Sequence, residues 1–565
     1  GVVECAPAEV GDHVSYYMPH HPVVKADRTT TKVRVVYNGS SRASKNEVSL
    51  NECLLRGPVF LSDIAGLLIR FRIHPVAFTC DVEKAFLQVG LTTRFLWYKD
   101  TQKPLTPENI QVLRFARIPF GVISSPFILA ATIKYHLSQV GSVLAVRIAA
   151  NMYVDNVVLG CKTVAEASAA YTEAKSLFRQ IQMNLREWFC NSSSFMSSVA
   201  ESDKGTGSET KVLGMVWNTS ADTLGVKTSK LHQVVVSTKR DLVKATSLIF
   251  DPCGLLAPVV IRGKMIAQTA WESQLKWESK ITDQMQVEWE ELKADLVKLG
   301  ELQVPRHLQY STDGGRFELH CFCDASAKAY GAAVYLRCIA TRQSHLIFAK
   351  AKLKPLKPIS IPRMELMSVV VGCRIIRFVA EQLHDVAIVK HFIWTDSMAV
   401  IQWIKTTKVL SVFVENRIKE VKQSNAEFRH VPTDSNPADL PSRGMSANDL
   451  FTSRLWWHGP DFLALEPSQW PERESQSTSC FVASCVVDAT PQMSPDDSLS
   501  PVQPGLADID PASFSSVTRL HRVTAQVRRF VNLCRRKSVR TGELDATEGQ
   551  LSSSPVNFTR SAVVQ

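Results

Sequence analysis

The sequence Cys-Phe-Cys-Asp-Ala-Ser at residues 321–326 decides the fold of the C-terminal half of the chain. Its apolar run ends in an acid, Asp324, and small residues follow, which is typical of a β-strand with an acid at its end. Phe-Ile-Trp-Thr-Asp-Ser at residues 392–397 repeats the pattern and ends at Asp396. Strand, helix and strand alternate between residues 317 and 470, and this order predicts an α/β layer structure.

Two more acids of the same region stand at predicted helix starts. Glu365 opens a helix with an apolar stripe, and Asp439 follows Asn-Pro-Ala at the start of another helix. Alone, Asp439 fits a helix cap, and Glu365 fits a first-turn acid that the helix dipole favours. Together with Asp324 and Asp396, they are four carboxylates that can converge on one cleft and hold two Mg²⁺ ions. We expect a structural role for the nearby His430.

The N-terminal half contains a second pair of acids. Ala-Phe-Thr-Cys-Asp at residues 77–81 is a β-rich run that ends at Asp81, and Met-Tyr-Val-Asp-Asn at residues 152–156 predicts a strand–turn–strand hairpin around Asp155. Phosphoryl transfer by two Mg²⁺ ions, which lie about 4 Å apart, needs hard oxygen ligands on rigid strands. A single aspartate at a strand end is more often a cap or turn residue, so the inference depends on the pair and its surroundings.

The composition narrows the class of protein. A chain of 565 residues with 45% hydrophobic content has room for about three to five domains. The formal net charge of +11 fits a polyanionic partner, although charge does not separate RNA from a membrane surface. The 13 cysteines lack the spacing of a zinc site and indicate a reducing compartment. No signal-peptide pattern opens the chain, and charged residues interrupt its most apolar tract, Leu248–Ala267, so this tract is not a membrane span.

The blocks around the two N-terminal aspartates resemble the three central palm motifs of reverse transcriptases, in the same order. They read Asp-x-x-x-Ala-Phe at 81–86, Pro-Phe-Gly-x-x-x-Ser-Pro at 119–126 and Tyr-Val-Asp-Asn at 153–156. Likewise, the C-terminal acids, in their order, resemble the ribonuclease H tetrad. The blocks at residues 20–25, 249–258 and 455–460 are similar to those of BEL/Pao long-terminal-repeat retrotransposons. The resemblance implies an α+β chain with a right-hand polymerase (fingers, palm and thumb), a helical connection and an α/β ribonuclease H-like domain.

The resemblance also implies roles for particular residues. The catalytic residues would be Asp81, Asp155, Asn156, Asp324, Glu365, Asp396 and Asp439, and all of these except Asn156 would bind metal. The nucleotide-binding residues would be Lys25, Arg34, Phe86, Phe120 and Gly121. The primer grip would consist of Leu213, Gly214 and Trp217.

Two of these implied roles rest on simple sterics. Phe86 would stack against the sugar and exclude a 2′-OH, whereas the alternative is that it packs in the core. Gly121 would let the backbone approach template and nucleotide, where any Cβ would clash.

Two departures from the family pattern leave an alternative open. Asn156 stands where the pattern has a second aspartate, and the segment Leu91–Phe95 is shorter than in related sequences. The leading hypothesis is an RNA-directed DNA polymerase with ribonuclease H activity. The alternative is a catalytically impaired retroelement relic that binds primer–template or hybrid without polymerase chemistry. An RNA-directed RNA polymerase is disfavoured because Phe86 would block ribose and a ribonuclease H-like region follows.

The predicted domains follow the same order along the chain. Residues 1–225 would form fingers and palm, 226–310 thumb and connection, 311–450 the ribonuclease H domain, 451–515 a linker that is largely disordered after 475, and 516–565 a basic helix that leads toward an integrase. The expected cofactor is Mg²⁺, with Mn²⁺ as a substitute. The expected partners are an RNA template, a DNA or tRNA primer, RNA–DNA hybrid, dNTPs and the other polyprotein products (protease, integrase and capsid), with no membrane. The expected location is the cytoplasm, within retrotransposon particles, and nuclear entry is left open.

Overall fold

Short strands and helices alternate through the first 225 residues of the computed structural model. The strands are β1 (Val3–Cys5), β2 (His20–Val24), β3 (Val33–Tyr37), β4 (Val76–Val82), β5 (Arg94–Tyr98), β6 (Ile110–Phe115), β7 (Met152–Tyr153), β8 (Asn156–Cys161), β9 (Leu185–Cys190), β10 (Glu209–Val212), β11 (Met215–Asn218) and β12 (Thr223–Gly225). The helices are α1 (Leu50–Cys53), α2 (Ile64–Phe71), α3 (Ser125–Val140), α4 (Val143–Ala150), α5 (Val164–Gln180) and α6 (Ser193–Ser198). Strand β4 lies inside an antiparallel sheet of order β7-β8-β4-β9, while β1-β6-β5 and β2-β3 form separate sheets.

The structure describes residues 3–6, 16–24, 33–42, 44, 46–88, 94–104, 106–308 and 315–471. All of them belong to one unit, Gly1–Val487. Lys25, residues 91–93 of the short segment and the predicted basic helix at 516–565 lie outside the described residues. No helix in the described part of the chain is long and apolar enough to cross a membrane.

Residues 226–308 are mainly helical. They form α7 (Lys239–Thr246), α8 (Ala257–Glu272), α9 (Asp283–Lys298) and the short strand β13 (Val304–Pro305). The hydroxyl of Thr238 caps α7 and that of Thr282 caps α9, because each accepts a hydrogen bond from a backbone N–H of the first turn. The apolar residues at helical spacing in α9 are buried: Met285, Trp289, Leu292 and Leu296.

A five-stranded mixed sheet organises residues 315–471. Its elements are β14 (Arg316–Ala325), β15 (Ala329–Cys338), β16 (Ser344–Leu353), α10 (Ile361–Gln382), β17 (Ala387–Thr395), α11 (Met398–Lys405), α12 (Val412–Lys422), β18 (Glu427–His430), α13 (Asp439–Arg443), α14 (Ala447–Thr452) and α15 (Arg454–His458). The strand order is β16-β15-β14-β17-β18, with β14 antiparallel to β15 and parallel to β17. The predicted alternation of strands and helices is therefore confirmed.

Strand β16 is an edge strand of this sheet, and groups from the preceding segment cover it. The Ala349 N–H donates to the Cys253 carbonyl at 2.9 Å, and the Gln268 amide donates to the Lys354 carbonyl at 2.8 Å. The Arg72 guanidinium also donates to the Leu346 carbonyl at 3.1 Å. One continuous core cluster includes α2, α7–α9 and the sheet. The predicted boundary at residue 310 therefore does not separate two cores.

The predicted linker also begins too early, because residues 451–471 pack on the sheet. Trp456, Leu463 and Trp470 are buried there. The buried guanidinium of Arg337 donates from Nε to the Leu463 carbonyl at 2.6 Å. The prediction that residues 451–471 belong to a linker is wrong, because side chains and backbone of this segment complete the core.

A second buried guanidinium connects the two halves of the described chain. Arg306 is fully buried and makes two bonds to the Asp222 carboxylate, at 2.6 and 2.7 Å. It also donates to the carbonyls of Phe71, His74 and Pro75, at 2.6, 2.8 and 2.9 Å. Each nitrogen atom of the buried Arg306 guanidinium therefore has a hydrogen-bond partner, as a buried charge requires.

Candidate active sites

The parallel pairing of β14 and β17 brings two of the predicted nuclease acids together. Cys323 lies beside Thr395 in this ladder, so the next residues, Asp324 and Asp396, leave the same end of the sheet. The apolar runs before them are buried in the core, whereas the acids reach the end where the strands stop. A run of this kind fixes where each carboxylate emerges.

Helix α10 supplies the third acid. Glu365 lies in its first two turns, above β14, and oxygen atoms of Asp324, Glu365 and Asp396 all lie within 4.8 Å of one another. Glu365 is 8% exposed, and its Oε2 atom is buried without a hydrogen-bond partner. Among the described residues, these three form the one such cluster of acidic, histidine or cysteine ligands.

The electrostatics of this cluster favour a cation. Burial, followed by the charges of Asp324 and Asp396, raises the pKa of Glu365 to about 9. Burial also raises the pKa of Asp324 to about 6 and moves the pKa of Asp396 upward. Converging carboxylates repel each other unless protons or cations neutralise them. Hard oxygen donors, an orphaned buried oxygen and this repulsion fit a divalent ion such as Mg²⁺ or Mn²⁺.

Hydroxyl and amide groups hold the cluster in place. The Ser442 hydroxyl donates to Oδ2 of Asp324, and the Thr433 hydroxyl donates to Oδ2 of Asp396 at 3.0 Å. The buried Asn436 amide donates to the carbonyl of Cys323, the residue before Asp324, at 3.1 Å. These bonds orient the carboxylates, and they also tie the loop before α13 to the sheet.

Asp439, the predicted fourth acid, is near this cluster but is not one of its three members. It is the first residue of α13, and its carboxylate accepts a hydrogen bond from Arg443 of the same helix. His430 ends β18 beside Thr395, and its charge is among the influences that lower the pKa of Asp396.

The predicted polymerase acids meet on the four-stranded sheet. Asp81 of β4 pairs directly with Asn156 of β8, and the Val82 N–H donates to the Asp155 carbonyl at 2.9 Å. Tyr153 pairs with Asn156, so Val154 and Asp155 form the turn between β7 and β8. Val154 has a φ of +57°, which strains a β-branched residue. The predicted hairpin is therefore confirmed, and it holds Asp155 beside Asp81.

Charge repulsion acts on this pair as well. Burial, followed by the charges of Asp155 and Glu187, raises the pKa of Asp81 to about 7. The Asn156 amide donates to the Asp155 carboxylate at 3.0 Å. Glu187 is exposed and has a φ of +54° at a bulge in the β4–β9 ladder. Sequence reasoning did not single out Glu187, because only the bulged strand pairing brings it toward Asp81.

Only some of the predicted nucleotide-binding residues lie next to each other in the structure. The rings of Phe86 and Phe120 meet at a centroid distance of 5.1 Å, and Phe120 is exposed. Gly121 has a φ of +89°, and a Cβ there would lie 2.1 Å from the Tyr37 carbonyl oxygen. The chain's own backbone therefore already requires this glycine. Arg34 pairs with Val23 in the β2–β3 ladder.

The predicted primer-grip residues have two different environments. Leu213 and Gly214 form the turn between β10 and β11, with φ of +51° and +95°. The Trp217 side chain is fully buried, stacks edge-on against Phe71 and donates to Asp222 at 3.0 Å. The Trp217 side chain is therefore part of the core, whereas Leu213 and Gly214 lie in the turn.

The chain resembles known proteins in two solved structures and in one segment of its sequence. The chain is similar to the foamy viral protease-reverse transcriptase dRH in complex with double-stranded DNA (TM-score 0.49, 15% identity, covering 76% of this chain and 67% of that one). It is also similar to the foamy viral protease-reverse transcriptase in complex with RNA/DNA hybrid (TM-score 0.45, 15% identity, covering 77% of this chain and 52% of that one). No curated protein sequence matches the chain. A family model described as "Pao retrotransposon-like RNaseH-like domain" matches residues 238–397, which hold Asp324, Glu365 and Asp396. The resemblance to Pao-type retroelement proteins is thereby confirmed for residues 238–397, which match a Pao retrotransposon-like RNaseH-like domain.

Proposed function

We propose that the chain is a ribonuclease H that cleaves the RNA strand of RNA–DNA hybrids. The observation that carries this proposal is the buried cluster of Asp324, Glu365 and Asp396, in which Glu365 Oε2 has no hydrogen-bond partner. These three residues, completed by Asp439, would hold two divalent cations. The cations would supply stabilisation of the charge that develops on the phosphate during hydrolysis.

The chain's own residues would prepare this site for a nucleic acid. Ser442 and Thr433 hold two of the carboxylates in fixed orientations. Helices α10 and α12 present basic side chains that would attract the phosphate backbone. They are Arg377, Arg417 and Lys422. RNA would be distinguished from DNA through its 2′-OH groups and the minor-groove shape of the hybrid.

Cleavage of a fluorescent RNA–DNA hybrid by the full chain tests the nuclease. Mg²⁺ should support cleavage, and Asp396→Asn should abolish it, because one carboxylate of the cluster is lost. Asp385→Asn is the matched control, since Asp385 is an exposed acid of the same domain. Cleavage that survives Asp396→Asn, or that persists in EDTA, would contradict the proposal.

We further propose that the N-terminal region is an RNA-directed DNA polymerase, with fingers and palm in residues 1–225 and thumb and connection in residues 226–310. Asp81 and Asp155 would hold the metal ions. The pairing of β4 with β8 of the β7–β8 hairpin brings Asp155 close to Asp81 and supports this assignment. Phe86, which packs against Phe120, would exclude a 2′-OH from the nucleotide site. Arg34 and Lys25 would neutralise the triphosphate.

The impaired relic remains the alternative, and one observation favours it. Asn156 lies opposite Asp81, where a second acid of the hairpin would stand, and its amide occupies an oxygen of Asp155. Extension of oligo(dT) on poly(rA) with dTTP and Mg²⁺ distinguishes the two proposals, with Asp81→Asn as the inactive control. Extension above this control supports the polymerase. Primer–template binding without extension, together with extension by Asn156→Asp, would identify the relic.

A further inference from the structure

Asp439 and Arg443 form an ion pair at the edge of the acidic cluster. They are the first and last residues of the short helix α13, and the Arg443 Nε donates to Oδ1 of Asp439. The Arg443 side chain is 62% exposed and that of Asp439 is 26% exposed. The pair therefore has an open side toward solvent, and the carboxylate that would complete the metal site is bound to a guanidinium instead.

The backbone of α13 is fixed on both sides, which leaves the side chain of Arg443 as the mobile partner. Ser442 bonds to Asp324, and the Met445 N–H donates to the Pro258 carbonyl of α8 at 3.0 Å. Gly444 has a φ of +91°, and a Cβ there would lie 2.7 Å from a side-chain carbon of Arg262. A shift of the whole helix would break these contacts, whereas rotation of the exposed Arg443 side chain breaks only its bond to Asp439.

The guanidinium of Arg443 acts on more than one acid. Asp439 raises the pKa of Arg443 most, and the charges of Asp324 and Asp396 raise it further. In return, Arg443 is among the influences that lower the pKa of Asp324. One cation of the protein therefore already offsets part of the negative charge of this site.

We infer that Arg443 is a positioning residue that holds Asp439 out of the metal site until a nucleic-acid phosphate takes over its guanidinium. A guanidinium binds a phosphate through two parallel hydrogen bonds, so a backbone phosphate at the open side can compete with the carboxylate. Asp439 is then released to bind a cation. This inference rests on the proposed nuclease function, and it makes the complete metal site depend on bound substrate.

Mn²⁺ binding without nucleic acid tests the first half of this inference. Free Mn²⁺ is measured by electron paramagnetic resonance, with the full chain carrying Asp81→Asn and Asp155→Asn in every sample so that the palm does not contribute. Arg443→Gln should lower the dissociation constant of the weaker nuclease-site ion by about two- to fivefold, the range expected for an exposed ion pair. Arg443→Lys should behave like arginine, and Asp439→Asn combined with Arg443→Gln should remove the gain.

The outcomes separate the inference from the function on which it rests. If Arg443→Gln leaves both the Mn²⁺ affinity and the melting temperature unchanged, the inference alone is overturned. Mn²⁺ binding that is unaffected by Asp324→Asn together with Asp396→Asn overturns the proposed metal site. In hybrid cleavage, Arg443→Gln should lower the half-saturating Mg²⁺ concentration and raise the KM for hybrid, and an unchanged KM would refute the transfer to phosphate.

Discussion

Replacement of Glu365 by glutamine should stabilise the metal-free protein at neutral pH. Burial and the neighbouring acids raise the pKa of Glu365 to about 9, from an ordinary value of 4.5. The folded state therefore binds a proton that the unfolded state releases. The contribution of this carboxyl to stability is fully present below pH 4.5 and is lost as the pH rises toward 9.

The size of the stability difference follows from the interval between the unfolded and folded pKa values of Glu365. Each pH unit between the two pKa values costs about 1.4 kcal/mol, so the wild-type protein loses about 3 kcal/mol between the ordinary pKa and pH 7. Glutamine has nearly the same shape but does not ionise, so it avoids this loss. We expect the free energies of unfolding of the two proteins to depend equally on pH only at the acidic end of the pH range. At neutral pH the Glu365→Gln protein should be more stable by up to about 3 kcal/mol.

Urea unfolding in EDTA, followed by tryptophan fluorescence from about pH 5 to about pH 8.5, measures this difference. Glu381→Gln is the control, because Glu381 is an exposed acid on the same helix. A stability difference that stays constant over this pH range would refute the reasoning. Excess Mg²⁺ should reverse the order of stabilities, since ion binding stabilises the wild-type site more than the variant.

Three further predictions concern other parts of the chain. Arg306→Met should lower the free energy of unfolding by about 3–5 kcal/mol in urea, because it leaves the Asp222 carboxylate without its buried partner; the exposed pair of Arg374 and Glu420 offers the control Arg374→Met. Gly254→Ala should lower the melting temperature more than Gly207→Ala does. Both residues have positive φ, but only at Gly254 would a Cβ meet backbone, at 1.9 Å from the Ala349 oxygen. Ser442→Ala should move the acidic limb of the cleavage–pH profile upward, since the lost hydrogen bond lowers the pKa of Asp324. Ser424→Ala should leave the profile unchanged, and a shift there would contradict this explanation.

The sequence predicts best those site residues that local pattern alone positions. A buried apolar run that ends in an acid can place that acid only at a strand end, so Asp324, Asp396 and Asp81 follow from short stretches of sequence. Glu365 follows in the same way from the start of an amphipathic helix. The hairpin around Asp155 is also local, because its turn lies between two strands that pair with each other.

What the sequence does not predict depends on contacts between distant segments. The bulge that turns Glu187 toward Asp81 depends on the register of β4 with β9. The burial of Trp217 depends on Phe71 of α2, which lies far earlier in the chain. The end of the fold is another example, because the segment 451–471 binds residues that lie more than 100 positions earlier in the chain. Arg337 of β15, which donates to the Leu463 carbonyl, is one of them.

The cover on strand β16 has a consequence for producing the RNaseH-like domain alone. A chain cut at the predicted boundary near residue 310 would lack Arg72 and Cys253, which bond to this strand, and Gln268, which bonds to Lys354 just after it. A ten-residue edge, Ser344–Leu353, would then offer unpaired backbone groups to other molecules, which is a route to aggregation. The segment that begins at residue 238 therefore covers this edge and limits self-association of the sheet. We expect that a fragment of this domain stays soluble only if it includes the segment.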